Sequence, residues 1–316
     1  MKIPTKRATR RLAASLVIIT ALATVQTAQA ATPIYYKGGT GSESNPINFL
    51  LKDYWTGNSS YSGGSISQYP EGQHDMNFGF AEGANNTAYV YSTKSGTETK
   101  KCANLMKFHT GQFIFTSGNF ECGSTFYLGA TASETSAVTK KAGVWTLDGE
   151  VRVGDSGSGT LVQDDGSILV GNALYVGYSG AGTLTINDGT VEVDSGFQTF
   201  PGWNSGSSGT INLNGGVFKT KRIACNSGRA YLNFNGGTLM ANAAHDSNQQ
   251  FIKAENMTVT VGAGGGTIDN GGHNITIAAN IGGTGGMIFT GAGKTTLNNA
   301  ADYTGQTSVR SGRAHV

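Results

Sequence analysis

Residues 182–193 read GTLTINDGTVEV, apolar and polar positions alternating on both sides of a small polar turn. The phrase returns as GTLVQDDGSILV at 159–170, GTINLNGGVFKT at 209–220, AYLNFNGGTLMA at 230–241 and GQFIFTSGNFEC at 111–122. Alternation with period two predicts strands, and Asn, Asp and Gly between them predict tight bends, so each unit reads as strand–turn–strand. Two further units are read at Gly143 (GVWTLDGEVRV) and, more faintly, at Gly266 (GTIDNGGHNITI). The resulting markers, 111, 143, 159, 182, 209, 230 and 266, are unevenly spaced.

Leu184 and Ile186, Ile211 and Leu213, and Leu232 and Phe234 hold the third and fifth positions of their units. Strand side chains alternate, so each pair faces one way, and stacked units would line those pairs up as interior ladders. GSTFYLGA at 123–130 and GNALYVGYSG at 171–180 echo each other at the same distance after their turns. That echo adds a strand to each repeat, which makes the repeat one coil of a solenoid instead of a hairpin. An antiparallel sandwich or propeller is the rival. Uneven coil lengths and glycine-led turns favour the parallel β-helix, with insertions taken up in loops.

Residues 31–108 carry many aromatics, among them Tyr35, Tyr36, Trp55, Phe78 and Tyr89, and no clear copy of the repeat. The end of a repeat stack meets water instead of a neighbour and is atypical, so this region reads as a cap with irregular first coils. Its aromatics are assigned to packing before sugar stacking. Repeats follow over 109–281.

Residues 1–30 read as a signal peptide. Lys2, Lys6, Arg7, Arg10 and Arg11 precede an apolar stretch at 12–25, and Ala28-Gln29-Ala30 offers a cleavage site. Arg10-Arg11 lacks the bulky pair that a twin-arginine signal carries after it. Five of the 22 Lys and Arg lie in this leader and none of the 20 Asp and Glu do, leaving 17 basic against 20 acidic residues and a net charge of −3. Nucleic acid is therefore not an expected partner. Glycine at 48 of 316 residues and a charged fraction of 13% can signal disorder. Here glycine gathers at turns between regularly spaced apolar residues, which signals order.

The last stretch, 282–313, reads GGTGGMIFTGAGKTTLNNAADYTGQTSVRSGR. Thr290-Gly291-Ala292-Gly293, Leu297, Asn298, Tyr303-Thr304-Gly305 and Thr307-Ser308-Val309 resemble the autotransporter-associated β-strand repeat of bacterial cell-surface proteins. The units upstream look like those that accompany this repeat, and the resemblance covers about two-thirds of the chain after the leader. It implies a right-handed parallel β-helix of pectin-lyase-like architecture, secreted or displayed on the outer surface of a Gram-negative cell. The membrane would be reached only through a translocator outside this chain, whose repeat over 282–316 reads as truncated. Surface glycans or other cell-surface proteins are the implied partners of a structural or adhesive passenger.

A polysaccharide lyase or hydrolase on the same scaffold is the alternative. It would need clustered carboxylates with a nearby base. The residues to inspect are Asp148, Asp155, Asp164, Asp165, Asp188 and Asp194, with Lys219, Lys221 and Arg222. Most of the aspartates match positions held by Asn or Thr in other units, which makes them turn formers, and no catalytic residue is assigned. His74, His109, His245, His273 and His315 share no spacing, and the cysteines form no ligand motif, so no metal site is expected. Cys102 and Cys122 could pair, leaving Cys225 odd; three separate buried thiols is the other reading. GGGTID at 264–269 resembles a calcium-binding repeat once only. GAGKTT at 291–296 lacks the first glycine of a phosphate-binding loop, which would be Ile288, so neither nucleotide nor cofactor is expected.

Overall fold

The computed structural model describes residues 32–36, 47–48, 55–56, 74–78, 87–91, 101–103, 105–244, 250–299, 301–310 and 313–315. The leader assignment falls on residues outside these. Residues 31–316 form one compact unit. Among the described residues every regular element is a strand, and apart from one antiparallel pair they stack in parallel as a β-solenoid of about nine turns.

One coil shows how the sequence makes three walls. Ala181–Ile186 lies in the first face, Thr190–Val193 in the second and Thr199–Pro201 in the third. The next coil returns to the first face at Ser208–Leu213, in register from Ala181↔Ser208 to Ile186↔Leu213. The two strands of the repeated phrase thus occupy different walls. Phe126–Leu128 and Leu174–Val176, inside the echoed segments, are third-face strands. That face runs on through single bridges Thr199↔Ile223, Ile223↔Ile252 and Ile252↔Ile277. Upstream, Thr32–Tyr36 and His74–Phe78 already belong to it, and Trp55–Thr56 pairs antiparallel with Tyr35 and Tyr36.

Parallel register also corrects the phase of two units. Gly111, Ser136, Gly159, Gly182, Gly209, Ala230 and Met257 stack in one column of the first face. Val144–Leu147, read as the start of a unit, lies in the second face opposite Ser167–Val170. Gly266–Asp269 lies in the second face as well. With this phasing the coils become more even: along the first face from Gly111 to Met257, adjacent coils are 21 residues apart at the short end, Asn212 to Asn233, and 27 at the long end, Thr185 to Asn212.

Two kinds of glycine caused the slip. Gly143 turns a corner at φ +89°. Gly182 sits in a wall, where a Cβ would come within 2.1 Å of the Val153 carbonyl oxygen. One needs the left-handed backbone and the other needs the missing side chain.

The inward positions fill the solenoid as expected. Phe113, Val138, Leu161, Leu184, Ile211, Leu232 and Val259 form one buried column, each contributing about 2 kcal/mol by leaving water. The early coils are filled by rings: Phe78 stacks on Phe108 at 4.5 Å, and Trp145 meets Phe120 at 4.5 Å and Phe115 at 4.8 Å. The neighbouring column contains two polar exceptions, Lys140 and Gln163, both fully buried.

Candidate functional site

The six aspartates divide among three corners. Asp164, Asp165 and Asp188 sit between first and second faces, Asp148 and Asp194 between second and third, and Asp155 between third and first. The carboxylates of Asp155, Asp164, Asp165, Asp188 and Asp194 serve local structure. Asp165 Oδ1 accepts the Gly166 N–H at 2.5 Å, Asp188 Oδ1 that of Gly189 at 2.7 Å, and Asp194 Oδ1 that of Gly196 at 2.8 Å. Asp164 accepts Asn187 Nδ2 at 2.8 Å, and Asn187 Oδ1 accepts Asn214 Nδ2 at 2.9 Å, extending a ladder across three coils. Asp148 differs from the sequence reading: it occupies the second corner, away from the positions of Asn214 and Asn235. Lys219 meets Glu192 at 3.3 Å, and Arg222 donates from Nε to the Gln250 carbonyl at 2.9 Å.

Among the described residues no three His, Cys, Asp or Glu side chains gather as metal ligands. His109 lies 2.7 Å from Glu134 Oε1 and 3.3 Å from Asn77 Oδ1. Cys225 is buried, with its sulfur 3.4 Å from the carbonyl oxygens of Gly202 and Gly228, and burial pushes its thiol pKa up. The Cys102–Cys122 pairing falls on Cys102, whose side chain lies outside the described residues; Cys122 is buried. Around 290–293, the buried Asn270 takes the role that a bound anion would have in a phosphate loop. Its Oδ1 accepts the Gly293 N–H at 2.9 Å and its Nδ2 donates to the Gly293 carbonyl at 2.8 Å. Lys294 then opens a strand, Lys294–Leu297.

The outward surface carries two features that the sequence reading did not single out. On the third face Tyr127, Arg152, Tyr175 and Phe200 are register neighbours, and Tyr178 and Trp203 follow from the adjoining corners. Tyr175 stacks with Phe200 at 5.4 Å, while Trp203 meets Phe200 at 4.6 Å and Tyr175 at 5.3 Å. The Arg152 guanidinium lies 4.0 Å from the centre of the Tyr178 ring and bonds to Glu150 Oε2 at 2.7 Å and Asp155 Oδ1 at 3.1 Å. Burial works against its charge, but Glu150 and Asp155 outweigh it and the pKa is raised. The sequence signal was a pair of aromatics three residues apart in successive coils, Tyr175/Tyr178 and Phe200/Trp203.

On the first face the outward rows are small and uncharged. One runs Gln112, Ala137, Thr160, Thr183, Thr210, Tyr231, Thr258, and the next runs Ile114, Thr139, Val162, Thr185, Asn212, Asn233, Thr260. Asn233 Nδ2 donates to Asn212 Oδ1 at 2.9 Å, and Asn212 Nδ2 to Thr185 Oγ1 at 3.2 Å, tying successive coils. Arg229 and Tyr231 stand out from this texture. They project from Arg229–Phe234 beside a groove of about 550 Å³, whose wall also includes Ser205, Ser208, Ser227 and Asn256. Asn256, at φ 56°, is the one non-glycine residue with a left-handed backbone among the described residues. The signal in the sequence was a tyrosine where the neighbouring units carry threonine.

No protein-family model matches the chain, and neither a curated protein nor a solved structure matches it.

Proposed function

We propose that this chain is an exported structural or adhesive β-solenoid, related to autotransporter-associated repeat passengers and displayed at the outer surface of a Gram-negative cell. Surface glycans or other cell-surface proteins are its partners. The observation that carries the reading is the first face. Across seven successive strands its outward positions hold Thr, Ser, Asn, Gln, Tyr and small apolar residues, with Arg229 as the one charge among the described residues. Such a surface offers the same shallow hydroxyl and amide contact at every coil, so affinity comes from repetition. The aspartates fit a structural role, because Asp164, Asp165, Asp188 and Asp194 spend hydrogen bonds on holding corners.

Intact cells producing the full chain, labelled with a membrane-impermeant amine reagent, test the reading. Labelling of the chain on unbroken cells is the expected result. Labelling only after lysis overturns surface display.

A further inference from the structure

We propose that the groove beside Arg229 and Tyr231 binds an acidic sugar, a pyranose bearing a carboxylate or sulfate, as one subsite on a longer glycan. The inference rests on the proposed contact with surface glycans and adds its ligand class and its place.

The groove sits where the third face turns into the first. Asn204, Ser207 and Gly228 build the turn: Ser207 Oγ donates to the Asn204 carbonyl at 2.7 Å, and a Cβ on Gly228 would meet that hydroxyl oxygen at 2.5 Å. On the opposite side the Ala230 N–H donates to the Asn256 carbonyl at 2.9 Å, fixing the wall to the next coil. The groove is therefore bounded by backbone already committed to cross-coil bonds.

Arg229 and Tyr231 are uncommitted, and Asn256, whose Nδ2 donates to the Asn226 carbonyl at 3.4 Å, keeps its amide oxygen for a ligand. Among the described residues the Arg229 guanidinium makes no ion pair or hydrogen bond, and the Tyr231 ring makes no ring contact, although 36% of Tyr231 is exposed. Ser205, Ser208 and Ser227 offer hydroxyls, and no carboxylate lines the groove. The neighbouring Glu255 is turned to Lys253, 3.4 Å away. An unpaired guanidinium presents a fork of donors that matches an oxyanion in two bonds. A ring two residues along the same strand faces the same side, where its apolar surface can lie against a pyranose. Serine hydroxyls and the Asn256 amide complete a set suited to sugar hydroxyls. A protein partner would more naturally find a hydrophobic centre, which this groove lacks.

With a net charge of −3 over the residues after the leader, diffuse attraction of a polyanion is disfavoured, so any binding of one must come from a local cation.

Binding of polygalacturonate, dextran sulfate and neutral dextran to the full chain, measured by titration calorimetry, tests this. Variants Arg229→Gln, Tyr231→Ala and, on a strand of another face, Lys294→Gln are compared, with thermal melting to verify folding. The expected result is binding of at least one acidic polymer, weakened about tenfold or more in Arg229→Gln and unchanged in Lys294→Gln. Which acidic polymer binds identifies the oxyanion. Absence of binding to both, or equal weakening by the two cation variants, overturns the proposal. Neutral dextran binding that ignores Arg229→Gln also overturns it, while leaving glycan contact standing; surface labelling of intact cells reports on display independently.

Discussion

Arg152 and Arg229 both project from the outside of the same solenoid and meet opposite surroundings. Arg152 lies between Glu150 and Asp155 and against the Tyr178 ring, in a belt whose aromatic rings already touch one another. Arg229 rises beside hydroxyls and one unaccompanied ring. The belt spends its chemistry on joining coils; the groove leaves its chemistry open to solvent. An aromatic patch is thus no guide to a binding site until its contacts are traced.

The widest separation between the two should appear in stability. Arg152→Ala removes charge-assisted bonds and leaves two carboxylates facing each other, so it should lower unfolding free energy by about 2 kcal/mol, whereas Arg229→Ala should change it by less than about 0.5 kcal/mol. Equal effects in urea titrations would erase the distinction.

Lys140 extends the comparison to a cation inside the wall. Its Nζ donates to the Asp165 carbonyl at 2.5 Å, and burial lowers its pKa to about 8, with Asp165 pulling the other way. The unfolded chain holds that proton to about pH 10.4, so between the two values the unfolded state binds more protons and stability rises with pH. Lys140→Met should flatten that rise and, at neutral pH, add about 1 kcal/mol. Gln163 Nε2 also donates to the Asp165 carbonyl, at 2.8 Å, and keeps it satisfied. A melting temperature that falls in Lys140→Met would show the ammonium to be holding the corner.

Two smaller tests refine the belt and the groove. Trp203→Ala should cost about 1 kcal/mol, since the partly exposed indole packs on Phe200 and Tyr175. Tyr231→Thr restores the residue type of its row, and should leave melting within about 0.5 kcal/mol of the parent while weakening the acidic-glycan contact.

Period-two alternation was enough to place Leu184, Ile211 and Leu232 inside, because one buried face leaves a strand little freedom of register. The phase of the coils was harder. Gly143 and Gly182 look alike in a string of letters, and only the fold tells a bend from a close approach. Asp148 inherited that slip and moved to another corner. The groove stayed hidden for a different reason: Ser227, Arg229 and Tyr231 lie close together in the chain, but Ser205 and Ser208 come from the coil before and Asn256 from the coil after. No local window contains them all.

In-register stacking also makes each coil a unit of length. Deleting or duplicating one whole turn would change the rod by about 4.8 Å and rejoin walls of the same kind, leaving distant corners unaltered. A lineage of such chains can therefore adjust the distance between features on its outermost coils by copying turns, with no redesign of the parts between.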